Sequence, residues 1–238
     1  MIGRYEHVDL DAAVRPADVI AAAGAWLGAE LAPSGFVWVP RSKRLQRQVG
    51  TLVHQVHVQA YRGNRAGQAI RIGTMLNVRE VALRSWREAN LGRVMEPVDD
   101  FVCGHLLGYA SGRSNGYVYG DAKDGDVDLT DPAQREMRLR AFATMFHEAV
   151  LPWFDEASDP ERIVGSRAGD YTNNPSALVE WLASRDRPDL VGDYADRYLA
   201  RTPGAQASFE RGTARAEAGV PHKGDIAEGL GWSVARLC

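Results

Sequence analysis

The chain has 238 residues, 45% hydrophobic and 25% charged, with a net charge of −3 at neutral pH and two cysteines, Cys103 and Cys238. That is the profile of an ordinary globular protein, large enough for one domain or a domain with an appendage. It excludes a disulfide framework and gives no global field for nucleic acid or a membrane surface. No run approaches the roughly eighteen apolar residues of a membrane helix. The opening MIGRYEHVDLDAAVRP lacks the basic and apolar regions of a signal peptide, so a reducing cytoplasm is the expected location.

Pro16 suits the first turn of a helix. Val19, Ala23, Trp26, Leu27 and Leu31 follow mostly at three- and four-residue spacing, which predicts a helix over 16–31 ended by Pro33, Ser34 and Gly35. Phe36 to Val39 reads as a short strand. Arg41 to Val49 reads as a second, very basic strand whose charges would suit a sheet edge. The stretch from Thr51 to Val78 organises the rest. Leu52, His54, Val56, Val58 and Ala60 alternate with Val53, Gln55, His57, Gln59 and Tyr61. Ile70, Ile72, Thr74, Leu76 and Val78 then repeat the apolar face. Gly63, Asn64 and Gly67 lie between, so the stretch is predicted to be an antiparallel hairpin with one apolar and one polar face.

A helix is expected over 79–90, with Ala82, Leu83, Trp86 and Ala89 inward and Arg84, Arg87 and Glu88 outward. Phe101 to Tyr109 and Tyr117 to Tyr119 read as further strands. Asp131 and Pro132 open a helix with a capping signal, striped by Leu139, Phe142, Met145, Phe146 and Ala149 and ended by Pro152. Residues 155–174 read as a linker. Residues 176–184, 190–201, 205–218 and 226–237 follow as helical patterns split by Pro188 and Pro203. The expected fold is therefore α+β. Residues 1–158 form a domain with a curved, mainly antiparallel sheet of four to six strands covered by the helices of 16–31 and 131–150. Residues 159–238 form a helical extension.

Catalytic and metal motifs fail on inspection. Gly112-Arg113-Ser114-Asn115-Gly116 has the spacing of a nucleophile elbow, but Tyr117-Val118-Tyr119 follows where a helix is needed. Asp124, Asp126 and Asp128 resemble the first half of a calcium loop, yet Leu129 and Arg135 stand where glycine and glutamate belong. His147-Glu148 lacks the second histidine of a zinc protease, because Leu151 occupies its place. His54 and His57 lie on opposite strand faces, and Cys103 with His105 makes too few ligands for zinc. No cofactor is expected, and an enzyme requires a site assembled from dispersed residues.

Charge is the stronger signal. From Arg41 to Arg93 there are eleven basic residues against Glu80 and Glu88, a local surplus of nine, with acids concentrated in Glu96, Asp99, Asp100 and the run from Asp121 to Asp131. Either these regions neutralise each other in the fold, or a basic sheet face meets an acidic partner. The candidate partner-binding residues are Arg44, Arg47, Gln55, His57, Gln59, Tyr61, Arg62 and Arg71. Arg41, Lys43, Arg44 and Arg47 near Trp38 and Tyr61 also allow single-stranded nucleic acid.

Three stretches carry a resemblance to a known family. They are Gly35 to Val49, a strand pair with Arg44 and Arg47 in its second strand; Val56-His57-Val58-Gln59 followed by Asn64; and the helix from Asp131 into Leu151-Pro152-Trp153-Phe154. Over residues 16–158 they resemble the bacterial family called domain of unknown function 4304. The resemblance implies an α+β fold with a curved antiparallel sheet; the family has no assigned activity and offers no catalytic residues to carry over. Some of its members are suspected of acting as immunity-type or other partner-binding proteins in bacterial conflict systems, so the resemblance points to partner binding.

Overall fold

A computed structural model describes residues 9–91, 100–113, 125–222 and 224–238. The fold is α+β. Strands β1 (Val37–Val39), β2 (Arg44–Val49), β3 (Leu52–Ala60), β4 (Arg71–Glu80) and β5 (Phe101–Leu106) lie in chain order in one antiparallel sheet, and β6 (Val127–Asp128) pairs with β4. The strand expected to reach Tyr109 stops at Leu106, where a helical turn, α3 (Leu107–Ala110), takes over, and the expected Tyr117–Tyr119 strand lies outside the described residues. The chain divides into two compact units. The first comprises 1–49, 53–77 and 105–152, and the second 50–52, 78–104 and 153–238. Among the described residues no helix is long and apolar enough to cross a membrane.

In the first unit, Leu45, Val56, Ile72 and Leu76 are buried from successive strands, as two-residue alternation requires. Helix α1 (Pro16–Glu30) packs on β1 and β2, and α4 (Arg135–Met145) packs on β6 and on α1. Two glycines set how closely α1 approaches. A Cβ at Gly24 would fall within the indole of Trp38, and one at Gly28 would lie 2.8 Å from the Trp38 Cβ. Phe36 and Phe146 meet edge to face at 5.1 Å in the same core. Strand β2 is not an edge. Register pairs Val37 with Gln46 and Val39 with Arg44, so β1 covers β2 and is itself the terminal strand.

Pro152 does not end the long helix. Asp131 caps a 3-10 turn at Pro132–Gln134, α4 follows, and a π turn at Phe146–Val150 leads into α5 (Leu151–Ala157). Widening the turn just before the proline changes the hydrogen-bond register in which its missing N–H would be felt, so the helix runs on.

In the second unit, the segment read as a linker holds two helical turns, α6 (Pro160–Ile163) and α7 (Arg167–Asp170), capped by the Asp159 carboxylate and the Ser166 hydroxyl. Helix α8 (Pro175–Ser184) buries eight of its ten residues, from Pro175 to Leu182, as a helix apolar on most sides must. Helices α9 (Asp189–Arg201), α10 (Gln206–Glu217) and α11 (Ile226–Leu237) complete the C-terminal run. In the α10–α11 pair, Gly212 faces the Glu228 carbonyl and Gly231 faces the Phe209 carbonyl, with no room for a Cβ at either. Leu91, at the end of α2 (Val81–Leu91), joins Ala216 and Trp232 in an apolar cluster flanked by Trp86, Ala235 and Leu237.

Helix α2 corrects the expected stripe. Leu83, Arg87 and Leu91 are its buried residues, while Ala82 and Ala89 are exposed. Arg87 is held inside by its partners. Its Nε donates to Glu180 at 2.6 Å, and Nη2 donates to the carbonyls of Phe101 and Ala177. Ser233 donates to the other Glu180 oxygen at 2.7 Å. Alongside, Glu80 accepts from the Trp181 indole at 2.7 Å and from the Arg185 guanidinium.

Candidate interaction surface

Alternation along β2, β3 and β4 sorts the candidate residues by face. Arg44, Gln46 and Gln48 of β2 share the outer face with Gln55, His57 and Gln59 of β3 and with Arg71, Met75 and Asn77 of β4. Their side chains are tied sideways. The Gln55 amide donates to Gln46 at 3.1 Å, His57 Nε2 pairs with Gln55 Oε1 at 3.1 Å, and the Gln59 amide meets the Met75 sulfur at 3.0 Å. Gln55 is buried, His57 and Arg44 are half-buried, and Gln59 and Arg62 are exposed.

Arg47 belongs to the opposite, core-facing side. It lies over the Phe36 ring at 5.0 Å and donates to His54 Nδ1 at 3.0 Å. Burial first, and the Arg47 charge second, hold the His54 imidazole down to a pKa of about 3. The sequence places Arg47 correctly on β2 but cannot show that its partner ring, Phe36, sits beneath the sheet.

Tyr61 and Arg71 anchor the far end of the hairpin. The Tyr61 hydroxyl donates to Asp126 at 3.1 Å, and Arg71 lies 3.4 Å from Asp128, its register partner across β4 and β6. Partial burial opposes the charge on Asp128, but hydrogen bonds from Thr130 and the nearby Arg71 and Arg138 hold its carboxyl below the usual range. The acids that suggested half a calcium loop thus serve as hairpin anchors at Asp126 and Asp128, while Asp124 lies outside the described residues. Among the described residues no three His, Cys, Asp or Glu side chains are grouped to hold a metal ion.

The Asn64 amide clamps the loop of the hairpin. It donates to the Arg71 carbonyl at 2.8 Å and accepts from the Arg71 N–H at 2.9 Å. Arg65 and Ala69 form a bridge within the loop. On the neighbouring strand, the Lys43 carbonyl accepts from the Val58 N–H at 2.8 Å. The β1–β2 turn therefore emerges at the same end of the sheet as the β3–β4 loop.

The buried thiol and imidazole that the sequence offered for chemistry are misprotonated for it, and Ser114 of the elbow-like motif lies outside the described residues. Cys103 is buried and its thiol pKa is pushed up, the reverse of an activated thiolate. His105 is buried, its Nδ1 lies 2.8 Å from the Leu106 carbonyl, and burial holds its pKa down to about 4. The Arg87–Glu180 pair has side chains 2% and 0% exposed, so no substrate reaches it. His147 and Glu148 are both exposed on the π turn. Of the enclosed polar groups, Arg87 and Glu180 are those the sequence did not mark as partners, because nothing local links residues 93 positions apart.

No family model matches the chain, and neither a curated protein nor a solved structure matches it significantly.

Proposed function

We propose that the chain is a non-catalytic protein-binding module presenting the outer face of β2, β3 and β4 to its partner. The observation that carries this reading is the lateral bracing of that face. The buried Gln55 holds Gln46 on one side and His57 on the other, and Gln59 rests on Met75, so the polar groups that flank it are fixed before a partner arrives. A prearranged face loses less side-chain freedom on association. An array of amides and cations offers hydrogen bonds to a protein surface.

Single-stranded nucleic acid is the weaker reading. It needs aromatic faces on which bases stack. Trp38 is covered by Gly24 and Gly28 of α1, and Tyr61 is tied to Asp126.

The test is crosslinked capture from the source cell at low salt with the tagged full chain, beside a Gln48→Glu/Gln59→Glu variant; both positions are exposed on the outer face. A protein species recovered by the wild type and lost with the variant is the expected result. Identical recoveries, or none, refute the reading.

A further inference from the structure

The cations of the first unit are not spread evenly over its sheet. Between Glu30 and Glu80 the sequence contains no aspartate or glutamate, whereas the average density of the chain would place about six there. Acids from elsewhere neutralise part of this span. Asp128 meets Arg71, and Asp100 meets Arg79 at 2.6 Å. Arg41, Lys43, Arg62 and Arg65 are exposed and make no ion pair among the described residues.

These four side chains come from two loops at one end of the sheet. Lys43 and Arg41 sit in the β1–β2 turn, and the Lys43 carbonyl receives the Val58 N–H. From Val58 the β3 strand runs on to Ala60 and into the loop bearing Arg62 and Arg65. Val58 and Arg62 are four residues apart, a reach of roughly 13 Å at full extension. Both loops are set rather than slack. Pro40–Ser42 form a 3-10 turn ended by Lys43 at φ 47°, and Asn64 and the Arg65–Ala69 bridge fix the other loop.

We propose that this loop end docks an extended acidic segment of a protein partner, with carboxylates at alternating positions meeting the Arg41/Lys43 pair and the Arg62/Arg65 pair. Side chains two apart on an extended peptide face the same way and repeat at roughly 7 Å, so two or three successive acids span the two pairs. The guanidinium forks suit carboxylates. Phosphate would suit them too, but a nucleic-acid strand also asks for free ring faces, and Trp38 and Tyr61 are engaged within the fold. The inference rests on the protein-binding reading above and names the chemistry of its partner.

The experiment uses the full chain and a fluorescent peptide of about twelve residues alternating Glu and Ser, a Gln-for-Glu control, and a thymidine oligonucleotide of similar length, all at low salt. Binding of the Glu peptide, absent for the Gln control, is expected. Arg41→Glu/Lys43→Glu and Arg62→Glu/Arg65→Glu should each weaken it about tenfold, with circular dichroism unchanged. Equal binding of the Gln control, or undiminished binding in both variants, overturns the proposal. Tighter oligonucleotide binding that the same variants abolish also overturns it, in favour of a phosphate backbone. Cellular capture lost with Gln48→Glu/Gln59→Glu but kept in both loop variants leaves the protein-binding reading standing and rejects the loop end. Peptide binding without any cellular capture does the reverse.

Discussion

His54 is buried, and its Nδ1 accepts the Arg47 Nε–H, so a proton on the imidazole meets both desolvation and a guanidinium. Its folded pKa, about 3, lies below the ordinary 6.5, and that of His105 is about 4. The unfolded chain takes up these protons first. Stability is therefore full above pH 6.5 and falls as pH drops from there toward 4, by about 1.4 kcal/mol per pH unit for each histidine. Urea midpoints should be flat from pH 7 to 8 and decline below 6.5. His54→Asn, which keeps an acceptor for Arg47, should reduce that slope; an unchanged slope would mean that His54 does not drive it. The Arg87–Glu180 pair makes a separate expectation. Arg87→Met leaves a carboxylate uncompensated in the core and should cost about 3–5 kcal/mol in chemical denaturation. Replacing both with Met should cost less than the single change, because no orphaned charge remains; a double variant as unstable as the sum of the singles would contradict this.

Helical glycines separate packing from propensity at the level of the element. Glycine to alanine in an exposed helix interior gains about 0.5–1 kcal/mol. Gly192 on α9 is exposed with nothing within 4 Å of an added Cβ, so Gly192→Ala should raise the melting temperature. Gly24 on α1 is pressed against the Trp38 indole, so Gly24→Ala should lower it and shift tryptophan emission. Two shifts of the same sign would mean that the α1–β1 contact does not set the spacing there. The same contrast explains what the sequence made legible. Periodicity found α1, the β3–β4 hairpin and the four C-terminal helices, because local spacing decides them. The outer-face positions of Gln55, His57 and Gln59 followed from alternation alone. It failed where a distant partner decides. Arg87 reads as a surface cation until Glu180 and the Phe101 and Ala177 carbonyls hold it inside, and Arg47 reads as polar-face until Phe36 and His54 draw it inward. Pro152 reads as a stop until the π turn before it resets the helix.

At the scale of the whole molecule, the composition shift near residue 158 suggests a domain followed by an extension, but the second unit gathers 78–104 with 153–238. Its interior shows why a cut at 158 is costly. Arg87 and Glu80 belong to the earlier segment, whereas Glu180, Trp181 and Arg185, which neutralise or bond them, belong to the later one. The apolar cluster divides the same way, with Trp86 and Leu91 on one side of the cut and Ala216 and Trp232 on the other. A fragment ending at 158 would expose the inner face of α2 and strand two charged side chains without their counter-charges, while retaining every residue of the first unit. Hydrogen exchange on residues 1–158 should therefore find slow amides in β2 and in the 53–77 part of the hairpin, and fast exchange throughout α2 and the 101–104 part of β5. In the full chain, α2 should protect as strongly as α8. If the fragment instead protects α2 as the full chain does, the Arg87–Glu180 and Glu80–Trp181 contacts do not hold that helix, and residues 78–104 draw their stability from the first unit.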